Sequence, residues 1–185
     1  MKNFFQGLMC FCLLLAAPLS AQVLDLGIIS GNEGSLPIAV VPMAYQGKLT
    51  APEVQVADVI RAELNRSGQF RSMPEQSLIA RPTRGSEVRF NDWRLAKQDF
   101  LVVGRVIDDA QGSYRIEYEL YDVAKQERML GLSLTSRAKG MRDVSHQIAD
   151  QIYEKILGVR GAFWTRIAYV TANGVGKNIK YSLLV

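Results

Sequence analysis

Apolar positions along this chain follow three rhythms, each predicting a different kind of element. Pro37-Ile38-Ala39-Val40-Val41-Pro42-Met43 is continuously apolar, rich in β-branched residues and bracketed by prolines, which predicts a strand buried on both faces. After a turn at Gly47-Lys48, Val56, Ala57, Ile60 and Leu64 recur at helical spacing, with Arg61, Asn65 and Arg66 off that stripe. Thr50 and Glu53 have capping-box spacing and Pro52 suits a first helical turn, so the helix is expected to open there. Gly68 is expected to close it, because glycine enters the left-handed conformation without a Cβ penalty.

Gln69 to Ser72 is expected to leave that helix as a short strand, and 73–89 reads as irregular, punctuated by Pro74, Pro82 and Gly85. Asn91 is placed to cap a short helix through Trp93 and Leu95. Phe100 to Ile107 is apolar on both faces and should be a central strand. Beyond a turn at 108–113, Tyr114, Ile116, Tyr118 and Leu120 alternate with Arg115, Glu117 and Glu119, so the next strand has one wet face. A turn at 124–126 leads to Leu130, Leu132 and Leu134, which alternate with small residues. Val144, Ile148, Ile152 and Ile156 then line one face of a helix predicted over Met141 to Leu157 and ended by Gly158. These elements describe one α/β domain: a mixed five-stranded sheet with helices on its faces.

From Gly161 the pattern reverts to strands, Thr165 to Thr171 and Lys180 to Val185, around a glycine-rich turn at Asn173 and Gly176. A hairpin of this kind is marginal alone. The run Tyr181-Ser182-Leu183-Leu184-Val185 reads as the start of a further β domain.

The N-terminus alters the picture of where the chain works. Lys2 supplies a positive n-region, Leu8 to Ala17 an apolar h-region of ten residues, and Pro18-Leu19-Ser20-Ala21 small residues before a cut ahead of Gln22. The run is too short to span a bilayer. Cys10 and Cys12 sit inside the h-region with Met9 and Phe11 as neighbours, which suits a cleaved secretory signal better than a lipidation site. Both cysteines leave with it, so the mature chain has no disulfide, thiol nucleophile or thiolate metal site. Export to a bacterial periplasm is the expected location, with no segment embedded in the membrane after cleavage. The mature chain carries 21 basic and 18 acidic residues, a mild charge that calls for no nucleic-acid partner.

The organisation expected is therefore a signal over 1–21, an N-terminal strand segment on a flexible link over 22–34, the α/β domain over 35–160, and the hairpin over 161–185. In the N-terminal segment, Leu24, Leu26 and Ile28 alternate with Asp25 and Gly27 ahead of the link Ser30 to Ser35. Such a segment can complete its own sheet, fray as termini do, or pair with the sheet edge of another chain.

Searches for chemistry return little. The connection Ala44 to Thr50 has one glycine, Gly47, and Lys48 and Thr50 alone do not make the backbone-lined cradle that phosphates need. His146, the only histidine, stands one turn from Asp150, a pairing that orients an imidazole, yet no nucleophile accompanies it. Glu117 and Glu119 share a strand face, but they lie beside Arg115 on a polar surface rather than across a cleft. Arg81, Arg84, Arg89, Arg94 and Lys97 with Phe90 and Trp93 read as a solvated basic loop diluted by Glu87, Asp92 and Asp99. No catalytic, cofactor or metal site emerges.

The passage His146 to Val170 is the most distinctive. A helix ends at Gly158, and Gly161-Ala162-Phe163-Trp164-Thr165-Arg166-Ile167-Ala168-Tyr169-Val170 follows. This junction resembles the TolB family of the Tol-Pal system of Gram-negative bacteria, in which such a strand enters a six-bladed β-propeller. Pro37 to Pro42, Arg66-Ser67-Gly68-Gln69-Phe70 and the stretch from Val102-Val103-Gly104 to Tyr114 are also similar to that family. The resemblance implies an anticodon-binding-domain-like fold with strand order 2-1-3-4-5, and a non-enzymatic adaptor that serves outer-membrane integrity and invagination during division. It further implies that the mature N-terminus binds TolA, which here means Val23, Leu24, Asp25, Leu26, Gly27, Ile28 and Ile29. Pal is bound by the propeller in that family, and that site is missing beyond Val185, so the resemblance assigns no Pal binding to this stretch. The alternatives are a free-standing cell-envelope binding module of related fold and a secreted hydrolase using Glu117 and Glu119.

Overall fold

The computed structural model describes residues 34–174 and 178–185. The opening strand β1 (Leu36–Val40) stops at Val40 and resumes as a two-residue strand β2 (Ala44–Tyr45). Pro42 lies in the gap; it has no N–H to give the ladder, whereas the amides of Val41 and Gln46 on either side reach Val102 O and Val106 O at 2.9 and 2.8 Å. The strand expected over 37–43 thus ends at Val40, and pairing with β4 resumes at Ala44–Tyr45, within the stretch expected to be the connection. Helix α1 (Val56–Arg66) follows, then β3 (Phe70–Ser72), α2 (Phe90–Leu95), β4 (Phe100–Asp108), β5 (Tyr114–Asp122), β6 (Glu127–Ser136) and α3 (Met141–Leu157).

The sheet runs β3-β1-β4-β5-β6, with β2 beside β4. The β1–β3, β1–β4 and β2–β4 pairs are parallel; β4–β5 and β5–β6 are antiparallel. Counting β1 and β2 as one interrupted strand, this is the mixed sheet of order 2-1-3-4-5. β1 and β4 read as unbroken apolar runs because both of their faces are covered. On one face, Ile38, Val40, Val102 and Val106 pack with Ile60 and Leu64 of α1 and Ile148 and Ile152 of α3. On the other, Ala39, Val41, Leu101 and Val103 pack with Trp93, Tyr121 and Val123.

That second layer corrects the reading of 73–97 as a solvated loop. Its cations face water, but Met73, Leu78, Val88 and Phe90 pack onto the layer around buried Trp93. The inner strands have an apolar second face, and no long helix follows β3 to cover it, so irregular chain does. Burial of Trp93 also decides where α2 lies. The helix begins at Phe90 behind Arg89, with no side-chain cap, and Asn91 Oδ1 instead accepts from Arg94 Nη2 at 2.6 Å. The capping box at Thr50 and Glu53 does not form either, because α1 starts at Val56 behind Gln55. Thr50 is held outside the helix by its carbonyl, which accepts the Tyr114 hydroxyl at 2.6 Å, and Pro52 is buried.

Gly68 and Gly158 take φ of 72° and 74°, closing α1 and α3 as expected. The C-terminal hairpin, β7 (Tyr169–Asn173) with β8 (Lys180–Leu184), is a separate two-stranded sheet. Tyr169 pairs with Leu184, so Thr165 to Ala168 lie outside the register and are not strand, contrary to the expectation.

Candidate functional site

The residues expected to recognise a partner, Val23 to Ile29, lie outside the described residues. What the structure places is their point of attachment. Leu36 N–H donates to Gln69 O at 2.9 Å, tying the start of β1 to the chain entering β3, and from Ile38 β1 is also paired with β4.

The polar end of β4 holds a cluster that sequence reading missed. The Asp108 carboxylate accepts the Tyr45 hydroxyl and the backbone N–H groups of Lys48, at 2.5 Å, and Leu49, at 3.1 Å. The Tyr45 hydrogen bond holds the Asp108 carboxyl below its usual range, assisted by the two amides. Loss of hydration, with the same hydrogen bond, pushes the Tyr45 phenol up to about 12. The amides of the β2–α1 connection, which a phosphate would require, are thus already engaged by a carboxylate. A depressed Asp108 pKa stabilises the fold above the unfolded value of 3.8, and the contribution is lost as pH falls through the lower folded value. Asp108→Asn should therefore lower the urea midpoint clearly at neutral pH and progressively less below about pH 4, as the parent carboxylate protonates too. Nothing local in sequence marks Asp108, because its partners are about 60 residues away.

His146 and Asp150 do not pair. Nδ1 of His146 lies 3.0 Å from Oε1 of buried Glu63, which also accepts Arg66 Nη1 at 2.9 Å, so the imidazole joins α3 to α1. Asp150 instead accepts the backbone N–H groups of Phe163, at 2.8 Å, and Trp164, at 3.0 Å. The chain leaving α3 is thereby folded back onto it, and Tyr153 bridges Phe70 and Phe163 edge-on, with centroids 5.9 and 5.4 Å away. Gly161 permits the approach, since a Cβ there would collide with the Asp150 carboxylate. The distinctive helix-to-strand junction is thus a tethered corner, and no reacting group stands at it.

Glu117 and Glu119 share the polar sheet face, each held by cations. Glu117 binds Arg105 at 2.5 Å and Arg115 at 3.4 Å. Glu119 accepts Gly85 N–H at 2.7 Å, Tyr121 O–H at 2.8 Å and Arg128 at 3.3 Å. They border an open groove of about 330 Å³ rather than facing one another across a closed cleft. Among the described residues, no group of three or more His, Cys, Asp or Glu is placed to hold a metal ion, and no helix is long and apolar enough to cross a membrane.

A family profile described as the TolB amino-terminal domain matches residues 24–129. The chain is 59% identical over 175 residues to a protein of Xanthomonas oryzae pv. oryzae named Tol-Pal system protein TolB, an alignment covering 92% of this chain and 40% of that one. The protein of the same name from Xanthomonas campestris pv. campestris is 58% identical over the same length and coverage. The crystal structure of TolB from Acinetobacter baumannii superposes with a TM-score of 0.62 at 31% identity, covering 80% of this chain and 35% of that chain. The chain thus spans 40% of the length of the curated relatives it matches.

Proposed function

This chain belongs to the TolB family, and on that premise we propose that it is a periplasmic adaptor of the Tol-Pal system, binding TolA through Val23 to Ile29. The role that follows is maintenance of outer-membrane integrity and of outer-membrane invagination during division, by protein–protein contact rather than by catalysis. The observation that carries the reading is the span of the family match. It begins at Leu24, inside the alternating segment, and continues to Met129 at the start of β6, so the segment is matched together with the strands β1 to β5 of the domain. Physical chemistry supplies the mode. A chain with apolar residues at alternate positions can add as a strand, with main-chain hydrogen bonds giving affinity and alternate side chains filling pockets. The α/β domain then acts as an anchor, because the segment enters at β1, an inner strand hydrogen-bonded on both sides.

Deleting residues 23–29 should abolish capture of the full chain by immobilised TolA C-terminal domain, while the circular dichroism spectrum and urea midpoint stay as in the parent. Retained capture would reject the assignment of the segment. Absence of capture by the parent chain itself would reject TolA as the partner.

A further inference from the structure

β6 is ten residues long, terminal in the sheet, and has no strand on its outer side among the described residues. Natural sheet edges are usually blunted by charge, proline, shortness or a bulge. Met129 to Ser136 contains neither charge nor proline and extends roughly 26 Å at strand rise. The only register shift in the β5–β6 pair falls between Leu120 and Tyr121, opposite the start of β6, leaving the rest regular. The opposite edge, β3, has three residues and offers far less.

The two faces beside β6 differ in chemistry. On the helix side, Leu130 and Leu132 of β6 and Gln151, Glu154 and Lys155 of α3 border an open trough of about 360 Å³, in which Leu132 is 44% exposed. On the other side, β6 presents the small residues Gly131, Ser133 and Thr135, in register with Glu119, Glu117 and Arg115. Because Gly131 has no side chain, the Arg128 guanidinium lies over it, close to where a Cβ would be, and remains 59% exposed. Arg84 and Arg105 line the same groove, and Arg105 Nε and Nη1 have no hydrogen-bond partner. Three cations border this groove with two carboxylates; Arg105 pairs with Glu117 and Arg128 with Glu119, so the groove keeps a net positive charge.

We propose that β6 is a docking edge for an extended peptide segment of a partner protein, one that alternates apolar and acidic residues. Added as a seventh strand, such a segment hydrogen-bonds to the outer backbone of β6. Its apolar side chains then fall beside Leu130 and Leu132, and its carboxylates beside Arg128, because successive strand residues point to opposite faces. The surface is made of residues other than 23–29, so the proposal does not depend on that segment binding TolA.

The test uses the full chain and a panel of blocked fluorescent octapeptides. Leucine, valine or isoleucine occupies one set of alternate positions, and glutamate, threonine or lysine the other. Fluorescence anisotropy should find the glutamate series tightest, and Leu132→Glu should weaken it by about tenfold or more. Arg128→Glu should reverse the preference from glutamate to lysine peptides, a swap that partial unfolding cannot produce. N-methylation on the backbone edge facing β6 should abolish binding, whereas N-methylation of the other edge should spare it. Absence of binding across the panel, equal affinity for glutamate and lysine peptides, or indifference to the methylated edge would each overturn the proposal. So would a dimer of the chain in sedimentation that Leu132→Glu dissociates, since β6 would then be occupied by a second copy.

Discussion

Trp93→Ala should unfold about 3–5 kcal/mol more easily than the parent chain, the range for truncating a large buried aromatic. Trp93 is 1% exposed and fills the layer against Ala39, Val41, Leu101 and Val103. That layer is roofed by a six-residue helix and irregular chain, so nothing opposite can move in as a rigid body to close the void. The roof is also tied down: Gln98 N–H donates to Trp93 O and Asp99 N–H to Pro37 O, each at 3.1 Å. A residual cavity is therefore expected, and cavity volume is what raises the cost above the transfer energy alone. Urea unfolding followed by circular dichroism should show a lower midpoint with an unchanged slope. Trp164→Ala provides the contrast, since Trp164 is 54% exposed and its removal should change stability by no more than about 0.5 kcal/mol.

Gly104→Ala should be the next most damaging change, at about 1–3 kcal/mol, although it adds a single methyl group. Gly104 pairs with Tyr118 in the middle of the β4–β5 ladder, and a Cβ there would stand 2.6 Å from the Glu117 carbonyl oxygen. It would also meet Met43 Sδ at 3.1 Å. The thioether end can swing away, whereas the carbonyl belongs to a central strand and cannot move without loosening the ladder. The double variant Gly104→Ala with Met43→Ala should thus recover none of the loss. Recovery in urea unfolding would mean that the side-chain contact, and not the backbone, sets the cost.

These two sites show what kinds of information local sequence carries. The strands and helices were legible because apolar periodicity reports which faces are buried, and β4, β5 and α3 occur where their patterns place them. Glycines were legible where a positive φ was required, at Gly68 and Gly158. The role of Gly104 was not, since nothing about one glycine in an apolar run reports which carbonyl lies across the ladder. Capping failed at Thr50 and at Asn91 because neither stands at a helix start: α1 opens at Val56, with the Thr50 carbonyl accepting from Tyr114, and Asn91 lies inside α2 with its Oδ1 accepting from Arg94. A capping hydrogen bond is worth only about 1 kcal/mol, so packing of Pro52 and Trp93 readily decides where the helix starts.

Charged side chains were the least legible. His146 has Asp150 one turn away on its own helix, yet it faces Glu63 on another, while Asp150 binds backbone amides beyond the helix end. A spacing of four residues makes contact possible, but packing of α3 against α1 turns His146 towards Glu63, while Asp150 finds its donors in the chain beyond Gly158. Asp108 likewise takes its three donors from β2 and the β2–α1 connection.

By itself, then, the sequence determined the class of the fold, the identity of the inner strands, the C-terminal ends of both long helices, and the junction motif that carries the family resemblance. All are read from neighbours within a few turns, where periodicity and backbone conformation act. Only the tertiary structure decided that the loop before β4 roofs a second core, that the amides of the β2–α1 connection are engaged by Asp108, and that β6 has no outer strand among the described residues and lies beside a groove of net positive charge. Those features depend on which distant residues meet across the sheet. Pairing energies there are set by burial and by satisfaction of polar groups, neither of which is encoded in any single stretch of chain.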